Sequence, residues 1–308
     1  MGDVKESHEE RTALEPREGF VPGQWVDTFC PGIAKVGGFT ITSAPSKATS
    51  SGSPERYIEL AIKKSPENPP AAWMWQDQQT ILGRTLQVRV GGSFVFPPPT
   101  APASFVKDRS ARVVFVAGGV GINPLISMAS YLGEVKRASD DADEPGGAGP
   151  EVVFLYSVRA EAKPLLDKDD DGGGRGDGDG DGDGDDDGDD DDEDNECECI
   201  PFLQRLATLY SNGAIRGQLK LFLTGSAESG NTLSCNEEDV PCFRRRITTV
   251  DLDEAVMAGS SGSSGHGLDN VFVYVCGVPT MTDAFVEHLT GSKGPGLAEH
   301  QVLCEKWW

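Results

Sequence analysis

The chain has 308 residues, 37% of them hydrophobic, and a formal charge of −23; that length and apolar content suffice for two packed domains and exclude a wholly disordered protein. Between Asp167 and Glu198, 19 carboxylates meet only Lys168 and Arg175, so this stretch carries −17 of the charge and leaves −6 elsewhere, an ordinary surface. No basic stripe fit for nucleic acid remains, Arg244 to Arg246 being too short, and no apolar run approaches the roughly 20 residues that span a bilayer.

The N-terminus, MGDVKESHEE, has neither the basic-then-apolar layout of a secretory signal nor the basic, acid-poor character of a transit peptide. Judged on these residues the protein is expected to be intracellular and cytoplasmic. Seven scattered cysteines, an odd number, fit a reducing compartment better than a disulfide framework.

From Phe20 to about Pro99 the sequence is rich in glycine, proline and β-formers. YIELAIK puts Ile58, Leu60 and Ile62 on one face, and TLQVRV does the same with Leu86, Val88 and Val90, which predicts a small barrel or sandwich. PPPTAP, Pro97 to Pro102, cannot donate ladder hydrogen bonds and suits a domain boundary. The expected division is 1–109 and 110–308.

Beyond it, RVVFVA from Arg112, EVVFLYS from Glu151, LKLFLT from Leu219 and VFVYVC from Val271 are near-continuous apolar runs. Such runs predict strands buried on both faces, hence a parallel sheet in an α/β domain. Leu125, Met128, Ala129 and Leu132 repeat at helical spacing, as do Leu203, Leu206, Ala207 and Tyr210, and are read as core-facing stripes. Disordered inserts are expected at about 163–198 and 226–268, the first holding a pure Asp/Gly run from Asp177 to Asp192 and the second GSSGSSGHG from Gly259. No register of the Asp/Gly run supplies both the sixth-position glycine and the twelfth-position glutamate of a calcium loop, and no cysteine spacing suits an iron–sulfur cluster, so no metal site is expected. His266, His288 and His300 are read as exposed and unpaired.

AGGVGINPL, Ala117 to Leu125, lies between a predicted strand and a predicted helix. Glycines there allow backbone amides to approach a pyrophosphate, Asn123 can cap the helix, Pro124 suits its first turn, and the helix dipole favours an anion. This context favours dinucleotide binding by Gly118, Gly119, Val120, Gly121, Ile122, Asn123 and Pro124 over a simple turn, although the spacing departs from G-x-G-x-x-G. The second strand ends Ser157-Val158-Arg159; a hydroxyl and an arginine can receive a 2′-phosphate, and an ordinary surface arginine is the other reading. Cys276 ends the fourth strand, either as an inert core thiol or beside whatever the glycine loop holds.

AGGVGINPL and CGVPTM together resemble the ferredoxin-NADP reductase superfamily. FVPGQWVD, VGGFTITSAP, LQVRVGGSF and the terminal EKWW look, within it, like the oxidoreductase NAD-binding domain-containing proteins. The resemblance runs from about Phe20 to Trp308, inserts excluded. It implies an antiparallel β-barrel of flavin-reductase type followed by a parallel-sheet nicotinamide-binding α/β domain. It places Gly118 to Pro124 on the pyrophosphate of NAD or NADP, Ser157 and Arg159 at its adenosine half, and Cys276, Gly277 and Met281 at its nicotinamide end. Phe39 and Thr40 would lie near the isoalloxazine of FAD, with Ile41, Thr42 and Ser43 also cofactor-binding, Glu305 would lie close to the nicotinamide, and Trp307 or Trp308 would stack on the flavin. Thr40, Cys276 and Glu305 would thus shape the reacting centre.

Gly37 stands where the superfamily's flavin motif has arginine, which removes a charge-assisted hydrogen bond of about 1.5–3 kcal/mol. Lys35 and Lys47 are the candidate replacements. The resulting expectation is a flavin-dependent NAD(P)H oxidoreductase passing electrons to a separate acceptor. The alternative is a nucleotide-binding regulatory or scaffold protein that kept the fold and lost the flavin. The resemblance associates the group with mitochondria, unlike the N-terminus.

Overall fold

The structure, a computed structural model, describes residues 19–49, 56–140, 149–160, 197, 199–225, 230–235, 238–257 and 268–307. The Asp/Gly run, GSSGSSGHG and Trp308 lie outside the described residues.

In chain order the first unit contains β1 (Trp25–Phe29), β2 (Gly37–Thr40), the short helices α1 (Ser46–Thr49), α2 (Pro69–Met74) and α3 (Gln78–Ile81), and β3 (Gln87–Gly91). Its strands form an antiparallel sheet in the order β2-β1-β3. Its own core is small, Phe20, Val26 and Ile41 with Ala48, Ile58 and Leu60 against them. The YIELAIK segment adds a single bridge, Leu60 to Ile41, rather than a full strand. The alternation that predicted strands still shows: Ile58, Leu60, Ile62, Leu86 and Val88 line one open apolar groove.

The second unit follows with β4 (Arg112–Gly118), α4 (Ile122–Asp140), β5 (Glu151–Arg159), α5 (Leu203–Ser211), β6 (Arg216–Thr224), β7 (Thr232–Cys235), β8 (Glu238–Phe243), α6 (Thr249–Met257), β9 (Val271–Gly277), α7 (Pro279–Thr290) and β10 (Val302–Lys306). These strands make one sheet ordered β10-β9-β4-β5-β6-β8-β7, parallel except for the β7–β8 pair. The apolar runs of β4, β5 and β9 feed two cores. Val113, Phe115 and Ala117 join Val152, Phe154, Tyr156, Phe272 and Tyr274 on one face, where α4 and α5 pack. Val114 and Val116 join Val153, Leu155, Val273 and Val275 on the other, with Leu252 of α6 and Leu289 of α7. Period-2 side-chain alternation with both faces covered is why these strands read as unbroken hydrophobic sequence.

The segment leading into β4 belongs to this larger core: Phe94, Phe96 and Phe105 are buried in it. Phe94 meets Tyr274 edge-on at 5.4 Å, and Tyr274 donates a hydrogen bond to Val95 O at 2.9 Å. Packing allegiance therefore changes before the prolines. The two units are also joined by Ser127 Oγ to Ser43 O (2.7 Å) and by a bidentate Arg205–Glu59 pair (2.9 and 2.8 Å).

Three expectations are corrected. The insert expected at 226–268 contains β7, β8 and α6, whose buried Leu233, Cys235, Val240 and Cys242 alternate too briefly, with Pro241 interposed, to stand out in sequence. Cys197 and Cys235 are joined as a disulfide, because the residues before α5 pack against β7. His288 is not an exposed, unpaired residue: its Nε2 lies 2.7 Å from Asp253 Oδ1 where α7 meets α6.

Candidate functional site

Sequence order runs outward from β4 through β5 to β6, then returns to place β9 and β10 on the other side of β4. At such a reversal the connections leaving adjacent carboxyl ends diverge to opposite faces of the sheet, and a crevice opens between them. Here that crevice is a cleft of about 970 Å³. The second unit contributes Gly118, Gly119 and Val120 at the end of β4, Ser157 to Arg159 at the end of β5, and Thr224 at the end of β6. Arg246 and Ile247 follow β8, and Val278, Thr280, Met281 and Trp307 follow β9 and β10. The first unit closes the opposite wall with Lys63, Lys64, Ser65 and Asn68.

The glycines divide into two kinds. A Cβ on Gly121 would lie 2.1 Å from Cys276 O, one on Gly118 would lie 2.8 Å from Met281 Cε, and one on Gly277 would lie 2.6 Å from that same atom. Those three let the ends of β4 and β9 touch. Gly119 differs: its φ is +53°, and its Cβ would meet nothing within 4 Å, so its side-chain direction is open space at the cleft. Residues Gly119–Gly121 form a 3₁₀ turn that leads into the 19-residue α4, whose positive dipole end lies at this position. Asn123 does not serve as the cap expected from sequence. It lies within the first turn of α4, and its Nδ2 donates to Ala61 O at 3.1 Å, tying the glycine loop to the first unit.

Cys276, Glu305 and Trp307 meet at the other end. Parallel register sets Glu305 beside Cys276, Trp307 N donates to Gly277 O at 2.9 Å, and Trp307 Nε1 donates to Glu305 Oε2 at 3.3 Å. Cys276 is fully buried and belongs to the α4-side core; burial first, and then the Glu305 charge, push its thiol well up, so it is a neutral packing group beneath the loop. Burial likewise pushes the Glu305 carboxyl up to about 7, against the opposing effect of the Trp307 hydrogen bond. A carboxyl poised there can hold or release a proton at neutral pH. Because the folded state binds this proton more tightly than the unfolded chain, the group favours folding at low pH, and that contribution is lost as pH rises from the ordinary carboxylate range through about 7. Glu305→Gln is expected to remove this part of the decline; melting temperature measured from pH 5 to 8 checks it, and parallel curves for variant and wild type would refute it.

The residues of VGGFTITSAP lie elsewhere. Phe39, Thr40, Ile41, Thr42 and Ser43 are buried, and none of them lines the cleft. Thr42 Oγ1 donates to Glu59, Ser43 Oγ accepts from Glu59 N, and Ile41 sits in the small core. A Cβ on Gly37 would lie 2.6 Å from Pro70 Cβ and 2.7 Å from the Phe39 ring, so an arginine at this position would displace both. The nearby α2 begins Pro69-Pro70, which lack the amide hydrogens that an anion at a helix start uses. Lys35 is exposed outside the cleft, and Lys47 lines a separate cavity of about 230 Å³ with Glu59 and Arg205. The phosphate grip that the resemblance implies for FAD therefore does not fit this first unit.

Of the residues singled out from sequence, Gly118, Gly119, Val120, Ser157, Arg159, Met281 and Trp307 are brought together on the cleft. Gly121, Cys276 and Gly277 support it from beneath. Lys63, Lys64, Asn68, Thr224, Arg246 and Thr280 also line it and were not anticipated; the only sequence signals were the paired lysines after YIELAIK and the Arg244 to Arg246 run.

The chain is 30% identical over 289 residues to oxidoreductase NAD-binding domain-containing protein 1 of Pongo abelii, an alignment covering 94% of this chain and 71% of the relative. The chain belongs to that family. The Danio rerio member is 41% identical over 122 residues, covering 40% of each chain. No family model matches. Among solved structures, a ferredoxin-NADP+ reductase from Plasmodium falciparum with 2′P-AMP is similar at a TM-score of 0.50 and 13% identity, covering 94% of this chain and 84% of that one. At that identity the likeness is one of fold, a small antiparallel sheet followed by a larger, mostly parallel one.

Proposed function

We propose that the chain is an NAD(P)H oxidoreductase of ferredoxin-NADP reductase type, with the nicotinamide dinucleotide lying across the carboxyl ends of β9, β4, β5 and β6. The observation that carries the reading is the switch-point cleft in which Gly119 leaves open space at the amino end of α4. In this reading the pyrophosphate lies on the Gly119 and Val120 amides, and the nicotinamide end reaches Gly277, Glu305 and Trp307. Residues 110–308 hold most of the dinucleotide, Lys63 to Asn68 close the cleft over it, and the rest of 1–109 forms the acceptor side. The protein's part is to hold the nicotinamide in one orientation toward a hydride acceptor and to exclude water from it.

The flavin-dependent form of this reading takes FAD as that immediate acceptor, with electrons going on to a separate molecule. The closed space at Gly37 and the prolines opening α2 favour a second form, in which the chain keeps the nucleotide site without FAD. The visible spectrum of the purified full chain separates the two. Equimolar flavin absorbance that bleaches on adding NADPH or NADH supports the flavoenzyme, and a colourless protein that binds either dinucleotide saturably supports the second form. A protein that binds neither dinucleotide would overturn both.

A further inference from the structure

The wall that the first unit contributes to the cleft is not held by a full strand pairing. Residues 56–65 enter no strand, and their bridge to the small sheet is a single one, Leu60 to Ile41. The run that ends in Lys63, Lys64 and Ser65 is placed instead by a row of side-chain contacts. Asn123 Nδ2 of α4 donates to Ala61 O at 3.1 Å, Trp75 Nε1 donates to Ile62 O at 2.9 Å, and Arg205 of α5 grips Glu59 with two bonds of 2.9 and 2.8 Å. From this arrangement we infer that Arg205 is a positioning residue for the nucleotide site: it lies outside the cleft and, through Glu59, holds the wall of Lys63, Lys64 and Ser65 over the dinucleotide. The inference rests on the nucleotide-binding reading above.

Both partners of the pair are fixed from their own sides. On the first unit, Thr42 N donates to Glu59 O at 2.8 Å, Thr42 Oγ1 donates to Glu59 Oε2 at 3.1 Å, and Glu59 N donates to Ser43 Oγ at 3.1 Å. Ser43 O in turn accepts from the buried Ser127 Oγ of α4 at 2.7 Å, so the wall, the small sheet and the second unit come together at Glu59. On the second unit, the Arg205 guanidinium lies 5.1 Å from the centre of the Phe202 ring. Phe202 precedes α5 at a φ of +61°, a left-handed backbone that a bulky residue adopts only against steric resistance. That conformation presents the ring to Arg205, and strain of this kind clusters at functional positions. The Arg205 and Glu59 side chains are 37% and 35% exposed, and an exposed pair adds little to stability. A bidentate fork between two pre-set partners fixes an orientation instead. Glu59 lies four residues before Lys63, about 13 Å of extended chain, so a small swing at the pair is carried to the cleft. Lys63 and Lys64 are the cations that this wall offers a pyrophosphate.

Calorimetric titration of the full chain with NADP⁺ and with NAD⁺ tests this. Arg205→Ala is expected to weaken whichever dinucleotide the wild type binds by about tenfold, with the thermal midpoint nearly unmoved. Arg205→Lys keeps the charge and loses the fork, and its affinity is expected to fall between those of Arg205→Ala and the wild type. Glu59→Ala is expected to weaken binding about as much as Arg205→Ala, and the double variant no further, because Arg205 acts through that carboxylate. Wild-type affinity in Arg205→Ala, or losses that add in the folded double variant, would overturn the positioning role while leaving the nucleotide site standing. A large fall in the Arg205→Ala midpoint would mark a packing role and overturn it as well. Failure of the wild type to bind either dinucleotide would overturn the site and the role of Arg205 together.

Discussion

Gly119→Asp is expected to weaken nicotinamide-dinucleotide binding by about 100-fold, or about 2.7 kcal/mol, while the chain stays folded. The separation of the two effects follows from geometry. A Cβ at Gly119 meets nothing within 4 Å, so the new side chain displaces no protein atom and projects into the open space of the cleft. The φ of +53° is one that aspartate adopts more readily than most residues, at a cost of about 1 kcal/mol. What changes is the ligand's environment: a carboxylate stands where the pyrophosphate would approach the amides. Gly119→Asn, nearly the same shape without the charge, is expected to lose only about tenfold. Calorimetric titration of both variants, with thermal melts alongside, checks the pair; unchanged affinity in a folded Gly119→Asp protein would remove the cradle.

Two residues further on, the opposite outcome is expected. Gly121→Ala would place Cβ 2.1 Å from Cys276 O and 2.8 Å from Gly277 N, and both are backbone atoms in the centre of the sheet that cannot swing aside. Either α4 or the end of β9 must shift, and overpacking of this kind costs about 3 kcal/mol. The methyl group faces away from the cleft, so binding is lost only through the displaced loop. Gly121→Ala is therefore expected to lower the denaturation midpoint markedly, and Gly119→Asp to leave it nearly in place. Urea denaturation of the two variants measures the contrast, and a stable Gly121→Ala protein would show that the strand ends are not in the close contact described.

The contrast shows what was legible in sequence. AGGVGINPL announces a strand, a glycine turn and a helix, but nothing in it distinguishes a glycine needed for contact with Cys276 from one open to a ligand. That difference depends on β9 lying beside β4, a pairing about 160 residues distant in the chain. The strands of the larger sheet were readable because each is apolar on both faces and so forms an unbroken hydrophobic run. β7 and β8 were not, since TLSC and EDVPCF are short and bury only every second residue. Arg246 reads in sequence as one of three arginines; β8 pairing in parallel with β6 carries it to the cleft while Arg245 turns away to Asp251. Asn123 looked like a cap because of its place before Pro124, and the first unit at Ala61 supplies it with a stronger claim. Gly37 was visible as a departure from the superfamily's arginine, but only the Pro70 and Phe39 contacts show that the space itself is closed.

The central claim, that a nicotinamide dinucleotide lies across the carboxyl ends of β9, β4, β5 and β6, is tested most directly by a crystal structure of the full chain grown with NADP⁺. Density for the pyrophosphate is expected at the Gly119 and Val120 amides, for the adenosine half toward Arg159 and Arg246, and for the nicotinamide beside Gly277 and Glu305. Density for the dinucleotide at any other place on the chain, or running across the strand ends in the reverse direction, would contradict it.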